Sequence, residues 1–283
     1  MARRPTFGDE PISRLAAWSR RFALFALAVA VLSIIILRSG LLEIVPALAT
    51  FGAALVFAGL AILFSLAAFI VIWRDGLAGL GHALLGLFLG LALLAYPAYL
   101  GRRALTLPAI SDVTTDFTNP PRYDVLARLR PRGRSDYPGQ ATAALQRQAY
   151  SDIVPLQLGV PAKAAYDAAL AVATKRKWLL VDTRPPTPSR SGAIEAVART
   201  PIMGFRDDVA IRVSAQGADA ARVDVRSASR FGSHDLGTNA SRVRALLEDI
   251  DDAAGNVKEP KAEPDNTKTK KPPEKKQPDN KKR

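Results

Sequence analysis

Three apolar stretches crowd the first hundred residues, and they constrain this chain more than anything else in it. Residues 22–37 read FALFALAVAVLSIIIL between Arg20–Arg21 and Arg38. Residues 45–73 carry no charge, and residues 77–100 form a third run of the same character. No soluble core takes three such segments in succession, whereas a bilayer asks for roughly 20 apolar residues per helix. The first run is slightly short, and its flanking arginines cover the shortfall by laying their apolar stems into the interface. Trp18, Trp73, Tyr96 and Tyr99 stand near the expected ends, where amphipathic rings sit. The chain therefore reads as a basic segment (1–21) followed by a three-helix membrane domain (22–101).

SRRFAL at residues 19–24 has the look of an export signal, but no small-x-small cleavage site follows and two more spans come next. The first span is a retained anchor on this reading. Arg3, Arg4, Arg14, Arg20, Arg21 and Arg74 stand on one side of the spans, against Arg38, Arg102 and Arg103 on the other. That bias predicts a cytoplasmic N-terminus and places everything after Gly101 in the periplasm of a bacterial inner membrane. Gly86 and Gly90 form a GxxxG spacing that lets helices approach closely, although Gly is common in these spans. His82 is the one side chain inside the third run that titrates near neutral pH, lies near its start, and reads as an interfacial histidine rather than a proton relay.

The formal net charge of +13 raises the question of nucleic acid. Residues 258–283 contribute +5 of it through lysines broken by prolines and acids, while the body is rich in arginine. The tail (256–283) has almost no apolar residues and reads as disordered. It offers no aromatic for stacking and lies on the wrong side of the membrane, so no nucleic-acid partner is expected. The expected partners are the bilayer itself and an anionic lipid or polymer. The absence of cysteine excludes disulfides and thiolate metal sites, and no cofactor is expected.

Residues 102–150 are rich in proline and turn formers, and read as an irregular linker with a short helix near 139–150. The soluble domain is assigned to 151–255. DIVPLQLGV is a strand candidate, and Pro161 opens an alanine-rich helix closed by Lys175, Arg176 and Lys177. Strand candidates follow at 178–182, 193–200, 208–214 and 222–227. The last two alternate: Val209, Ile211, Val213, Val223 and Val225 face one way, and Asp208, Arg212, Arg222, Asp224 and Arg226 the other. A closing helix is expected from about 238 to 252. This order predicts an α+β class, with an antiparallel sheet covered by helices.

GAIEAVARTPIMGFRDDVAIRV (192–213) followed by RVDVRSASRFGSHDLGTNASRVRALL (222–247) resembles the domain of unknown function family 1499, and ISDVTTDFTNPPRY (110–123) resembles the segment preceding that domain. The motifs are Ile194-Glu195-Ala196, Gly204-Phe205 with Asp207-Asp208-Val209, Arg226-Ser227 with Ser229-Arg230, and Asp235-Leu236-Gly237 with Asn239. The resemblance implies a membrane-fused domain of proteobacteria and some photosynthetic lineages, and it carries no assigned activity.

Ser233-His234-Asp235 suggests a catalytic triad, but three consecutive side chains diverge and no G-x-S-x-G elbow exists. A carboxylate metal site would need more than the Asp207–Asp208 pair, whose side chains alternate across a strand. Two readings remain for the arginines. In the first, Arg226, Arg212 and Arg222 form a ladder of ion pairs with Glu195, Asp208 and Asp224, and Gly232 to Asp235 is a turn into a helix capped by Thr238 or Asn239. In the second, Arg226, Arg230 and Arg242 converge with Ser227, Gly237 and Asn239 on an anion at the helix N-terminus. The alanines of the 161–178 helix predict close packing on the sheet; a cavity holding an acyl chain is the alternative. The expected function is a non-enzymatic envelope module for an anionic ligand or a protein partner, with an envelope-acting enzyme as the alternative.

Overall fold

The computed structural model describes residues 11–130 and 135–258. The first ten residues and the lysine-rich tail beyond Lys258, expected above to be disordered, lie outside them.

Three long helices come first: α1 (Arg14–Ser39), α2 (Ile44–Asp75) and α3 (Leu80–Thr106). α1 starts two turns before its apolar run. The Ser13 side chain accepts from the Ala16 N–H at its start, and Gly40 ends it in the left-handed conformation with φ 73°. All three are long and apolar enough to cross a membrane. Their packing is inverted relative to a soluble bundle. The buried positions are small, among them Ala23, Ala26 and Ala30 of α1, Ala54, Ala58 and Ala61 of α2, and Gly86 and Gly90 of α3. The large side chains point outward, with Val56, Leu63 and Phe88 more than 60% exposed. Such a surface is stable against lipid and not against water, which makes this an integral membrane protein.

The GxxxG spacing is used, one glycine per neighbour. A Cβ on Gly86 would lie 1.9 Å from Ser19 Oγ of α1, and one on Gly90 would lie 2.7 Å from Ile62 Cγ1 of α2. Ser19 Oγ donates to the Ala61 carbonyl at 2.8 Å and Ser65 Oγ to the Ala83 carbonyl at 2.6 Å, which ties the three helices together. Gly86→Val is therefore expected to destabilise the bundle by about 1–3 kcal/mol through overpacking. Thermal unfolding of the full chain in detergent checks it; an unchanged midpoint would mean that α3 does not sit against α1 at Gly86. His82, at the start of α3, has Nε2 3.0 Å from Arg20 Nη1, so it pairs with α1 within the bundle.

The remaining chain builds one antiparallel sheet. It comprises β1 (Asp112–Thr114), β2 (Leu156–Leu158), β3 (Leu179–Arg184), β4 (Gly192–Arg199), β5 (Arg206–Ala215) and β6 (Ala221–Ser229), in the order β1-β6-β5-β4-β3. β2 pairs with β6 opposite residues 221–223, and β1 pairs with it opposite residues 226–228, so the two share one edge. Between them runs α4 (Gln140–Ala149), the short helix expected there. α5 (Ala162–Lys175) and α6 (Thr238–Lys258) cover one face.

The alternation read from β5 and β6 holds. Val209, Ile211, Val213, Val223 and Val225 form a single core with Ala165, Ala169 and Val172 of α5 and Val243, Leu246 and Ile250 of α6. The alanine face of α5 packs directly on the sheet: a Cβ on Gly192 of β4 would meet Tyr166 Cδ2 at 2.8 Å.

The stretch taken as an irregular linker contributes more than a connection. β1 extends the sheet, and residues 115–130 cross its other face. There Tyr123 and Leu126 pack with Val197, Ala210 and Ala228. A single 3-10 turn (Leu126–Leu129) sits in this cover. Gln146 of α4 reaches the free side of β1, accepting from Thr114 N–H at 3.0 Å and donating to its carbonyl at 2.7 Å.

Candidate functional site

The six residues expected to gather around an anion are divided by the sheet. Ser227, Asn239 and Arg242 lie on the helix-covered face. Arg242 Nη2 pairs with Asp207 Oδ2 at 2.6 Å, and its Nη1 donates to Ser227 Oγ at 2.9 Å. Asn239, fully buried, accepts from Ser227 Oγ at 2.8 Å and donates to the Ser111 carbonyl at 3.0 Å. This polar cluster is closed on itself, and its one cation is neutralised.

Arg226 and Arg230 lie on the opposite face, because strand residues alternate sides. Arg226 is 2% exposed. Its Nε and Nη2 grip the Asp112 carboxylate at 3.0 and 2.7 Å, and its plane lies over the Tyr123 ring at 4.6 Å. Burial works against the Arg226 charge, yet the Asp112 carboxylate outweighs it and holds the guanidinium pKa above its ordinary value. Arg230 pairs with Asp208 at 2.7 Å, and Arg130 reaches the other oxygen of the same carboxylate.

An ion-pair ladder does cover this face, with Asp224 in it as read in the sequence, while Asp112 and Asp116 join it and Glu195 does not. Arg212 and Arg222 both pair with Asp224 as well as with Asp116 from the crossing segment. Burial raises the Asp116 carboxyl, but N–H donors at Asn119 and Thr118 and the two guanidiniums bring it below its ordinary value. Glu195 serves no arginine at close range; its nearest is Arg184 at 3.6 Å. Its carboxylate instead accepts the N–H groups of Asp124, Val125 and Leu126 at 2.8, 3.1 and 2.8 Å.

The Ser233-His234-Asp235 run is a turn and a helix cap. Asp235 accepts from the Gly237 and Asn239 N–H groups at 2.9 and 2.7 Å, so it, and neither Thr238 nor Asn239, caps α6. Burial pushes the Asp235 carboxyl above the usual carboxylate range, against those two donors. His234 Nδ1 accepts from the Leu236 N–H at 3.1 Å. With both side chains engaged by backbone, no nucleophile-base-acid relay is assembled here. Gly237, at φ 74°, is required for a different reason: a Cβ there would come within 2.8 Å of Arg103 Nη2 and Leu107 Cδ1, at the end of α3. No group of three or more His, Cys, Asp or Glu with metal-binding spacing occurs among the described residues.

The structure assembles a cationic site that periodicity does not show. A cleft of about 530 Å³ lies where the sheet meets the end of α1. Arg38, Arg176, Lys177, Arg199, Arg206 and Arg230 line it, together with Leu129, Trp178, Leu179, Val181 and Val197, and no acid lines it. Arg176 is matched by Asp249 and Arg230 by Asp208. The other four cations have no carboxylate partner among the described residues. Arg38 Nη1 donates to the carbonyls of Pro201 and Ile202 at 2.6 and 3.2 Å, and Arg199 Nη1 donates to the Arg38 carbonyl at 2.9 Å. Among the described residues, Lys177 and Arg206 have no side-chain hydrogen bond or ion pair. Of the arginines expected at an anion site from the sequence, Arg230 alone lines this cleft. The missed signal was the KRKW run at 175–178, whose cations read only as a helix terminus.

No curated protein matches the chain at a significant level. Among solved structures, the di-domain ARO/CYC BexL from the BE-7585A biosynthetic pathway aligns at 13% identity over 40% of this chain and 56% of that one, with a TM-score of 0.21. The chain thus spans little more than half of that structure, and so loose a superposition assigns neither fold nor activity. The model of the family described as "Protein of unknown function (DUF1499)" matches residues 112–250. Its limits run from the first residue of β1 into α6 and take in the crossing segment and the whole sheet. Behind its three membrane helices, this chain carries a domain of the DUF1499 family.

Proposed function

We propose that this protein is a non-enzymatic module of the bacterial inner membrane that presents its α+β domain in the periplasm and binds an anionic ligand there. The observation that carries this reading is the cleft beside α1, where four cations have no carboxylate partner among the described residues. The arginines on the two faces of the sheet are matched by contrast: Arg226 by Asp112, Arg242 by Asp207, and Arg212 and Arg222 by Asp224. Like charges gathered around one cleft add their fields there and favour an anion. Forked guanidinium donors suit phosphate or carboxylate oxygens. The arginine bias around the spans supports the orientation.

Two measurements test it. Phosphatase fused after Thr106 is expected to be active, and cytoplasmic-only reporter activity at that position would reverse the topology. Inorganic pyrophosphate titrated into the full chain in detergent is expected to bind, more weakly as salt rises. Lys177→Ala/Arg206→Ala is expected to weaken that binding at least tenfold and to leave the fold intact, since neither side chain has a structural partner among the described residues. Equal pyrophosphate binding by the wild type and this double variant would remove the cleft from the account.

A further inference from the structure

The cleft has a property that charge alone leaves unexplained. Its cations stand around an apolar floor: Leu129 and Leu179 are 58% and 66% exposed, and Trp178, Val181 and Val197 line the same space. A free inorganic anion or a polyanionic polymer would gain nothing from that floor, and exposing it to water is unfavourable. An amphiphile matches both halves.

Position narrows the occupant further. Arg38 is in the last turn of α1, at the end of a helix whose large side chains face lipid. The cleft therefore opens at the level where α1 leaves the bilayer, beside the headgroups of that leaflet. Its volume of about 530 Å³ lies within the range of roughly 300–1,000 Å³ usual for small-molecule sites. That is room for a headgroup and the start of its chains, not for a whole lipid.

We infer that the cleft takes the headgroup of an anionic phospholipid from the adjoining leaflet, with the phosphate among Arg38, Lys177, Arg199 and Arg206 and the first acyl carbons on Leu179, Val181 and Val197. This rests on the anion-binding reading above and names its ligand. Arg38 and Arg199 also hold the domain to α1 through carbonyl hydrogen bonds. A phosphate, being charged, is a stronger acceptor for these guanidiniums than a neutral carbonyl. Headgroup binding thus competes with the tether, and the lipid composition of the leaflet sets how firmly the domain is held to α1.

Native mass spectrometry of the full chain, titrated in detergent with dioleoyl phosphatidylglycerol, phosphatidic acid or phosphatidylcholine, tests the inference. One anionic lipid is expected to be retained at least tenfold better than phosphatidylcholine, and Lys177→Ala/Arg206→Ala is expected to abolish that preference. Leu129→Ser/Leu179→Ser changes two exposed side chains, so the fold is expected to survive. It should lower lipid retention at least threefold and leave pyrophosphate binding unchanged. If the serine variant keeps both the lipid and pyrophosphate, the apolar floor has no role and the site is for a free or polymeric anion. If anionic lipid is retained equally by the wild type and the Lys177→Ala/Arg206→Ala variant, the lipid sits elsewhere on the helices and the inference fails. Loss of pyrophosphate binding from the wild type itself would instead overturn the anion-binding reading beneath it.

Discussion

Asp112→Ala is expected to destabilise the domain by about 3–5 kcal/mol, because it leaves the Arg226 guanidinium buried without its counter-charge. The pair joins the two ends of the domain's sequence: Asp112 comes from β1 and Arg226 from β6, and the Tyr123 ring closes over the guanidinium. Denaturant unfolding of the full chain in detergent, followed by near-UV circular dichroism, gives the measurement. Asp112→Ala/Arg226→Met removes both charges and should recover much of the loss, since an apolar side chain of similar length can fill the space. A single-variant shift under about 1 kcal/mol would mean that water reaches Arg226 and that the segment crossing the sheet does not seal this face.

The second large effect is expected at Glu195. Its carboxylate accepts three consecutive backbone N–H groups at the start of the 3-10 turn, and the residue is 1% exposed. Glu195→Ala strands all three donors, at about 1–3 kcal/mol for each that stays buried. Because the turn can then lift toward water, the expected total is roughly 3 kcal/mol rather than the full sum. Hydrogen exchange gives the sharper readout: the amides of Asp124, Val125 and Leu126 should lose protection before the β5–β6 hairpin does. If all amides of the domain lose protection together, the crossing segment is part of the main cooperative unit and not a cover laid on it.

How much of this was legible follows from where each residue finds its partner. The membrane helices show as apolar runs, and α5 and the β5–β6 hairpin as local periodicity. α2, α5 and the hairpin lie within a few residues of their signals, while α1 starts eight residues earlier and α3 ends six later than the runs. β1 is a three-residue strand whose partner lies more than a hundred positions away, so nothing local marks it. The proline-rich segment after it looks like a linker because its apolar residues, Tyr123 and Leu126, are few and unevenly spaced. The arginines were conspicuous, but Arg226 depends on Asp112 of β1, and Arg212 and Arg222 share Asp116 of the segment after it. Asp207 and Asp208 were read as pointing to opposite faces, and they do; this places Arg242 and Arg230 on opposite sides of the sheet. The cationic cleft was the hardest to foresee, since the end of α1, the start of β3 and the β4–β5 corner meet there only in the folded chain.

The Gln146 side chain has a bearing on how such proteins can coexist. Anchored domains diffuse in a plane, where neighbours meet at high effective concentration and in a restricted set of orientations. An open strand edge in that setting would invite one copy to add its sheet to the next. By returning a donor and an acceptor to Thr114, Gln146 imitates a further strand that cannot itself be extended. The sheet ends in a side chain, and so crowding in the membrane plane finds no template at β1 on which to build a chain of domains.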